Sequence, residues 1–579
     1  MRDTPILSLR DVTIGLRFRP DPPLVQGVSF DLAPRETIAI VGESGSGKSL
    51  TALAIMRLLD PALFTVAGDI LLGGQSLPAL TLPEMCRVRG NRISMIFQEP
   101  MTSRNPVMTV GNQIAEVLRE HEGLSHAAAL ARAEALLDQV QIPMARQRLA
   151  AYPHELSGGM RQRVMIACAL ACRPEVLIAD EPTTALDVTI QREVLDLIRA
   201  LQAELGMGVI FVTHDMGVVN EIADRTLVMS SGKVVEAGRT DAIFRAPQHG
   251  YTRQLIAAVP RMEDEGAGAP DPAAADAPPL FEMRDLLSRF PVRGGLLNRQ
   301  RAWNVAVDRV SLSLRRGETI GVVGESGSGK STLARAIMGL APVHGGEMLL
   351  EGRNLLDGRG RRRPDTGIQM IFQDSGAALN PAFSIRQTLA EALRLGGDAA
   401  PEAAGALLER VALPRAMLDR FPHELSGGQR QRVCIARALA LRPRIIIADE
   451  SVAALDVTTK FQIIDMLTGL QRETGLSYIF ITHDMAVVHR ICHRVAVMRR
   501  GQLVELGDTA GVLSDPGHAY TRRLISAVLS ADPDQRRKRR PVPPDASPHS
   551  PLQPLNGRLP PLRYHDLPDG RRLLGAQDG

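Results

Sequence analysis

Two stretches of this chain have the residue types and spacing to hold a phosphate. Gly42-Glu43-Ser44-Gly45-Ser46-Gly47-Lys48-Ser49 follows an apolar run, Thr37–Val41, that reads as a buried strand, and it leads into a helical segment. Strand, glycine-rich loop, Lys-Ser and helix make a P-loop, whose backbone N–H groups close on phosphates while the helix N-terminus attracts the anion. In that chemistry Lys48 reaches the terminal phosphates and the Ser49 hydroxyl ligates a divalent cation. The same eight letters return as Gly324-Glu325-Ser326-Gly327-Ser328-Gly329-Lys330-Ser331, again after an apolar run. One copy of such a pattern arises by chance in some chains. Two do not.

Around each P-loop lie further residues suited to phosphoryl transfer. Asp180-Glu181 and Asp449-Glu450 end apolar runs, where an aspartate can hold a cation through water and a glutamate can polarise the attacking water. Each glutamate is followed 33 residues later by a histidine at another strand end, His214 and His483. Gln98 and Gln373 end strands ahead of each helical region, and Leu156-Ser157-Gly158-Gly159 repeats as Leu425-Ser426-Gly427-Gly428. The lysines are 282 residues apart, the glutamines 275, and the Ser-Gly-Gly stretches and Asp-Glu pairs 269. The chain is therefore a tandem duplication with two shortenings in its second copy.

The elements that must position these groups are legible in part. Alternation over Leu7–Val12 and Val28–Leu32 predicts half-buried strands, and Gly68–Leu72 a short β segment. Buried strands are predicted at Ile93–Gln98, Glu175–Asp180 and Val209–Thr213, with helix between Pro100 and Pro153, for example over Ala127–Gln139. The expected domains are 1–260 and 280–529. They are joined by a Pro-, Ala- and Asp-rich linker at 261–279 and followed by a Pro-rich basic tail, 530–579, expected to be disordered.

A chain of 579 residues with 44% hydrophobic and 23% charged residues is of soluble globular type. No apolar run reaches the roughly 18 residues of a membrane helix, and the N-terminus has no signal-peptide pattern. The formal charge of +4 is mostly the tail's, so the rest is nearly neutral and offers no broad nucleic-acid surface. Cys168 and Cys172 are one helical turn apart with nothing nearby to complete a metal site, and are expected to be packed thiols.

The order of these motifs resembles the ATP-binding cassette (ABC) family over both halves, with LSGGMRQR at 156–163 and LSGGQRQR at 425–432 as its signature. The resemblance implies an α/β fold of two tandem P-loop cassettes, each with an antiparallel β subdomain and a helical subdomain. It implies ATP and Mg²⁺ as cofactors, with Ser49, Gln98 and Asp180, and Ser331, Gln373 and Asp449, near the metal. Glu181, Glu450, His214 and His483 would be catalytic. In the family the cassettes face head to tail, so Lys48 would share ATP with Ser426-Gly427-Gly428, and Lys330 with Ser157-Gly158-Gly159. An aromatic residue stacks on adenine in the family. Phe18 and Phe290 are the matching candidates, with Trp303 a competitor in the second half.

Text around the motifs, IFQEPMTSRNPVMTVG (96–111) and IFQDSGAALNPAFSI (371–385), looks like the dipeptide/oligopeptide importer subfamily. So do Pro247-Gln248-His249-Gly250-Tyr251-Thr252 and Pro516-Gly517-His518-Ala519-Tyr520-Thr521, and RFPVRGGLLNR (289–299) resembles fused glutathione importers. That implies an ATP-hydrolysing subunit, peripheral on the cytoplasmic face of the inner membrane. Two permease subunits and an extracytoplasmic solute-binding protein would be its partners, with membrane contact only through the permeases and no nucleic acid. Tandem cassettes acting on ribosomes are the alternative, but those carry long charged helical linkers; importers of nickel complexes or opines also stay open. The first half reads DEPTTALD (180–187) where the second reads DESVAALD (449–456). In the family this loop lies against the other half's P-loop, so Ala453 in place of Thr184 predicts somewhat slower turnover at the Lys48 site.

Overall fold

The computed structural model describes residues 4–19, 22–98, 103–184, 186–257, 266, 277–294, 299–357, 360–363, 365, 367–398, 400, 402–453, 455–537, 550–555, 557 and 559–575. The expected linker lies outside the described residues, apart from 266 and 277–279, as do residues 99–102, 185, 295–298 and 454 of the motif segments and 538–549, 556, 558 and 576–579 of the tail. The chain forms two compact units. One comprises Met1–Leu186, Ile190–Val259 and Leu529–Arg539; the other comprises Asp187–Thr189, Pro260–Val528 and Arg540–Gly579.

In the first unit, Thr37–Val41, Val176–Asp180 and Gly208–Thr213 are buried along their whole length. Such unbroken apolar runs suit parallel strands covered on both faces. They lie in a six-stranded sheet ordered Lys233–Arg239, Arg225–Ser230, Thr37–Val41, Gly208–Thr213, Val176–Asp180, Ile93–Ile96. All neighbours in it are parallel except the first pair. Parallel register sends the carboxyl ends of five strands to one edge, where open α/β sheets bind ligands. Four of those ends carry the candidate residues: the P-loop and His214 follow two, Asp180 closes a third and Gln98 stands two residues past the fourth.

A second sheet, antiparallel, is ordered Val25–Leu32, Leu7–Leu16, Phe64–Leu72, Gln75–Ser76. The helical region is built on Val110–Glu122, His126–Gln139 and Gly158–Leu170, whose N-caps Thr109, Ser125 and Ser157 each accept a backbone N–H. Its core gathers Ile114, Leu118, Leu136, Leu137, Val164 and Ile166 with the underside of the sheet.

The second unit repeats this plan: Gln502–Asp508, Arg494–Arg499, Thr319–Val323, Ser477–Ile481, Ile445–Asp449, Ile368–Ile371 keep the same order. Its departure from expectation is the tail. Arg572–Leu574 and Tyr564–Asp566 extend the large sheet beyond Gln502–Asp508, and Leu552–Pro554 pairs with Arg299–Leu314. Arg571 explains the attachment. It is buried, donates to the carbonyl oxygens of Gly511 and Asp515, and lies 3.7 Å from fully buried Glu505. The upstream part of the tail belongs to the first unit, where the buried Asn220 amide donates to the carbonyls of Ser530 (2.8 Å) and Asp532 (2.9 Å). Proline content and weak periodicity hid these contacts, because each strand is only three residues long.

Among the described residues no helix is long and apolar enough to cross a membrane. Cys168, Cys434 and Cys492 are buried, Cys172 is half-buried and Cys86 is exposed; all are free thiols.

Candidate functional site

The P-loop's shape follows from glycine. Gly47 takes a φ of 98° and Gly329 one of 103° as they open the helices at Lys48 and Lys330, a left-handed region that side chains resist. A Cβ on Gly42 would overlap the Met229 carbonyl oxygen, and one on Gly324 that of Met498. The lysines fold back over their own loops. Lys48 Nζ donates to the Gly42 and Glu43 carbonyls at 2.8 and 2.7 Å, and Lys330 Nζ to those of Gly324 and Glu325 at 2.7 and 3.0 Å. Burial lowers the Lys330 pKa below the usual lysine range. An ammonium buried among carbonyl oxygens can exchange them for phosphate oxygens.

Beside the loop, the Ser49 hydroxyl donates to Asp180 Oδ1 at 3.0 Å, and Ser331 to Asp449 at 3.0 Å. Burial pushes Asp180 up to about 6, with Ser49 and Lys48 only partly opposing it. Asp449 is raised for the same reason.

The next residue in each unit has unusual backbone. Glu181 has φ 47° and Glu450 φ 46°, left-handed values in non-glycine residues. Such strain persists where the surroundings hold it and gathers at functional sites. Here each glutamate N–H is tied to the adjacent strand, at Val212 O and Ile481 O, both 2.9 Å. The turn aims the Glu181 carboxylate at three donors. His214 Nδ1 is 3.1 Å from Oε1, while Gln98 Nε2 (2.9 Å) and the Thr184 hydroxyl (3.0 Å) donate to Oε2. Desolvation would raise the Glu181 pKa, but His214, Thr184 and Lys48 outweigh it and leave it lowered. Both oxygens are thus engaged and the group stays ionised. A carboxylate fixed in this way can orient and polarise a water.

Glu450 is held by fewer groups. Gln373 Nε2 donates to Oε2 at 2.7 Å, His483 Nδ1 stands 3.6 Å from Oε1, and Ala453 supplies no hydroxyl. The imidazole beside it still lowers its pKa. Thr184 corrects the expectation about the Ser451–Ala453 departure: its hydroxyl serves the glutamate of its own cassette. What Ala453 lacks is therefore a contact to Glu450.

The signature serines cap helices. Ser157 Oγ accepts from Met160 N (3.4 Å) and Ser426 Oγ from Gln429 N (3.3 Å). Each hydroxyl keeps its own hydrogen to donate, next to two glycine N–H groups at a helix start. Gln429 also accepts from Ser426 N at 3.0 Å, a reciprocal cap that Met160 cannot make.

The adenine candidates are placed unevenly. Phe18 is 84% exposed in the turn after its strand. Phe290 lies within a strand opposite Asn304, and Trp303 holds the Arg289 guanidinium 4.4 Å over its ring. Two tyrosines, in segments singled out only for their subfamily likeness, reach the P-loops. Tyr251 Oη accepts from Glu43 N and Tyr520 Oη from Glu325 N, both at 2.9 Å.

A glycine-rich loop opening a helix at lysine, a half-buried Ser–Asp pair and an ionised glutamate at neighbouring strand ends define a P-loop NTPase, and this chain carries that set twice. A family model of the ABC transporter matches residues 25–184 and 307–453, and one of the C-terminal region of oligopeptide/dipeptide transporters matches 235–282 and 504–557. The chain belongs to the ABC transporter family and is an ATP-binding ATPase coupled to transport. It is 52% identical over 551 residues to the glutathione import ATP-binding protein GsiA of Salmonella paratyphi A, covering 89% of this chain and 88% of that protein. The Escherichia coli K12 protein of the same name is 52% identical over 549 residues, with the same coverage. Among solved structures, cbiO1 from Clostridium perfringens is 26% identical, covers 42% of this chain and 92% of its own, and has a TM-score of 0.37.

Proposed function

We propose that this chain energises import of small peptides, of the dipeptide, oligopeptide or glutathione class. It would act on the cytoplasmic face of the inner membrane, docked on two permease subunits served by an extracytoplasmic solute-binding protein. Its cassettes would be residues 1–260 and 280–529. The observation that carries this reading is the 52% identity to glutathione import proteins, which spans both cassettes rather than one.

In each cassette the N–H groups of residues 42–49 or 324–331 bind the ATP phosphates, with Lys48 or Lys330 turning from backbone carbonyls to the terminal phosphates. The signature residues Ser157-Gly158-Gly159 and Ser426-Gly427-Gly428 offer a second set of phosphate donors. Ser49 and Asp180, and Ser331 and Asp449, present the oxygen donors that magnesium prefers. Gln98 and Gln373 spend their amide nitrogens on the glutamates, which leaves their oxygens for the cation. Bound there, Mg²⁺ would neutralise charge on the phosphates. The burial that raises Asp180 and Asp449 fits them to a divalent partner. Glu181 and Glu450 orient the attacking water, and His214 and His483 hold the glutamates and face the γ-phosphate. Phe18 and Phe290 are proposed to stack on adenine.

Deletion of the gene, with uptake of labelled glutathione, dipeptides and longer peptides, tests the reading. We expect loss of at least one of these, restored by the wild-type chain and not by its Lys48→Ala, Lys330→Ala form. Unchanged uptake of all three would overturn the peptide assignment.

A further inference from the structure

The His-x-Tyr-Thr segments near each cassette's end mark a subfamily by their letters, but their chemistry lies at the P-loops. Tyr251 and Tyr520 each accept the backbone N–H of the P-loop's second residue, Glu43 or Glu325, at 2.9 Å. The carbonyl of that same residue accepts the P-loop lysine, at 2.7 Å from Lys48 and 3.0 Å from Lys330. One residue is thus gripped on both sides, by a lysine that must leave it to meet phosphate and by a tyrosine that need not.

Each tyrosine is itself fixed by the same device. The histidine two residues earlier accepts the tyrosine N–H through Nδ1, at 3.2 Å for His249 and 3.1 Å for His518. A glutamate 15 residues before the tyrosine then accepts two successive N–H groups of the turn. Glu236 takes those of Gln248 and His249 at 2.8 and 3.0 Å, and Glu505 those of Gly517 and His518 at 2.9 and 3.0 Å. Two turns with the same contacts at every position point to a shared task rather than incidental packing. Tyr520 is also buried, with the Arg499 guanidinium 4.9 Å over its ring.

We propose that Tyr251 and Tyr520 are positioning residues for ATP binding. Each hydroxyl holds its P-loop's first turn in a nucleotide-ready shape while Lys48 or Lys330 moves from the Glu43 or Glu325 carbonyl to the phosphates. Without that oxygen the loop's empty form has more freedom, and ATP must order it on binding. The loss falls on affinity, because the hydroxyl is bonded to the P-loop backbone and not to Glu181 or Glu450.

The test is Tyr251→Phe, Tyr520→Phe and the double variant in the full chain, which remove one oxygen and keep the ring. We expect the ATP Kd, and the KM of the assembled transporter, to rise about three- to tenfold for the affected site, as for one lost hydrogen bond. The kcat should stay within about twofold. An unchanged Kd and KM, or a fall in kcat at constant KM, would overturn the proposal. Should the variants not fold, amide exchange in the wild-type chain decides. Glu43 and Glu325 N–H groups protected both without nucleotide and with ATP support the proposal, and free exchange in either state overturns it.

Discussion

The two cassettes match each other closely where they meet phosphate and diverge where they hold the glutamate. Ser–Asp pairs at 3.0 Å, lysines on the same two carbonyls and tyrosines 2.9 Å from the same amide recur in both. Around the glutamates, Ala453 stands in the second cassette where the first has Thr184, and a His–Glu separation of 3.1 Å becomes 3.6 Å. The signature cap gains Gln429 where the first cassette has Met160. Duplication has thus kept the P-loop contacts the same in both halves while letting the grip on the glutamate carboxylate vary.

The largest effect expected is shared by both halves. Lys48→Ala and Lys330→Ala each remove a charge-assisted donor to phosphate, and each should weaken ATP binding at its own site by about ten- to a hundredfold. Nucleotide titration of the two variants checks this, and a clearly unequal loss would break the claim that capture is equivalent.

Truncation after Arg537 comes next, and it should act on the second unit, because the tail residues that pack on the first are kept. It strips Arg571 from buried Glu505 and two strands from the large sheet. Glu505 keeps its two N–H donors, so the cost is about 2 kcal/mol, or roughly 5 °C in the Tm of the second unit. Calorimetry of the truncated chain would show it. An unaltered melting profile would mean that the tail contributes nothing to folding.

The Thr184 contrast is of similar energy but read in rate. Thr184→Ala should slow hydrolysis by Glu181 about three- to tenfold, and Ala453→Thr should speed hydrolysis by Glu450 by up to the same factor. Single-turnover rates, with the other cassette's glutamate changed to Gln, isolate each. Rates insensitive to both substitutions would remove the hydroxyl from the account.

The smallest effect concerns pH. Thr37 N donates to Asp224 Oδ2 at 2.9 Å, and Thr319 N to His493 Nδ1 at 3.0 Å. Burial lowers the His493 pKa, against the opposing pull of neighbouring Glu318, which Arg494 pairs at 3.2 Å. With the folded value below the unfolded one, about 6.5, this stabilisation is whole above that pH and is lost as pH falls through it. Amide exchange of Thr319–Val323 should therefore quicken modestly as pH falls below about 6.5. His493→Asp, which copies Asp224, should remove the dependence, and its persistence would point to another group.

Most of the site could be read from sequence because each part is local. A glycine-rich loop after a buried strand, an Asp-Glu pair and a histidine at strand ends all announce themselves within ten residues. The parallel sheet then gathers them with no further information. What stayed hidden depends on distance or on backbone. Tyr251 and Glu43 are 208 residues apart, and nothing local ties them. Thr184 is only three residues from Glu181, but its hydroxyl meets the carboxylate because the glutamate turns left-handed at φ 47°. The tail's strands are held by Arg571 at Glu505, by Leu574 in the second unit's core and by pairing with distant strands, none of which shows as a period within three residues.

Both cassettes are proposed to hydrolyse ATP, Glu450 included despite its looser hold. The most direct measurement is steady-state and single-turnover hydrolysis by the assembled transporter carrying Glu181→Gln or Glu450→Gln, with ATP binding measured alongside. Each variant should bind ATP as the wild type does, and its altered site should turn over at least about a hundredfold more slowly. If Glu450→Gln left the ATPase rate and the single-turnover amplitude unchanged, the second cassette would bind ATP without hydrolysing it, and the account would be wrong.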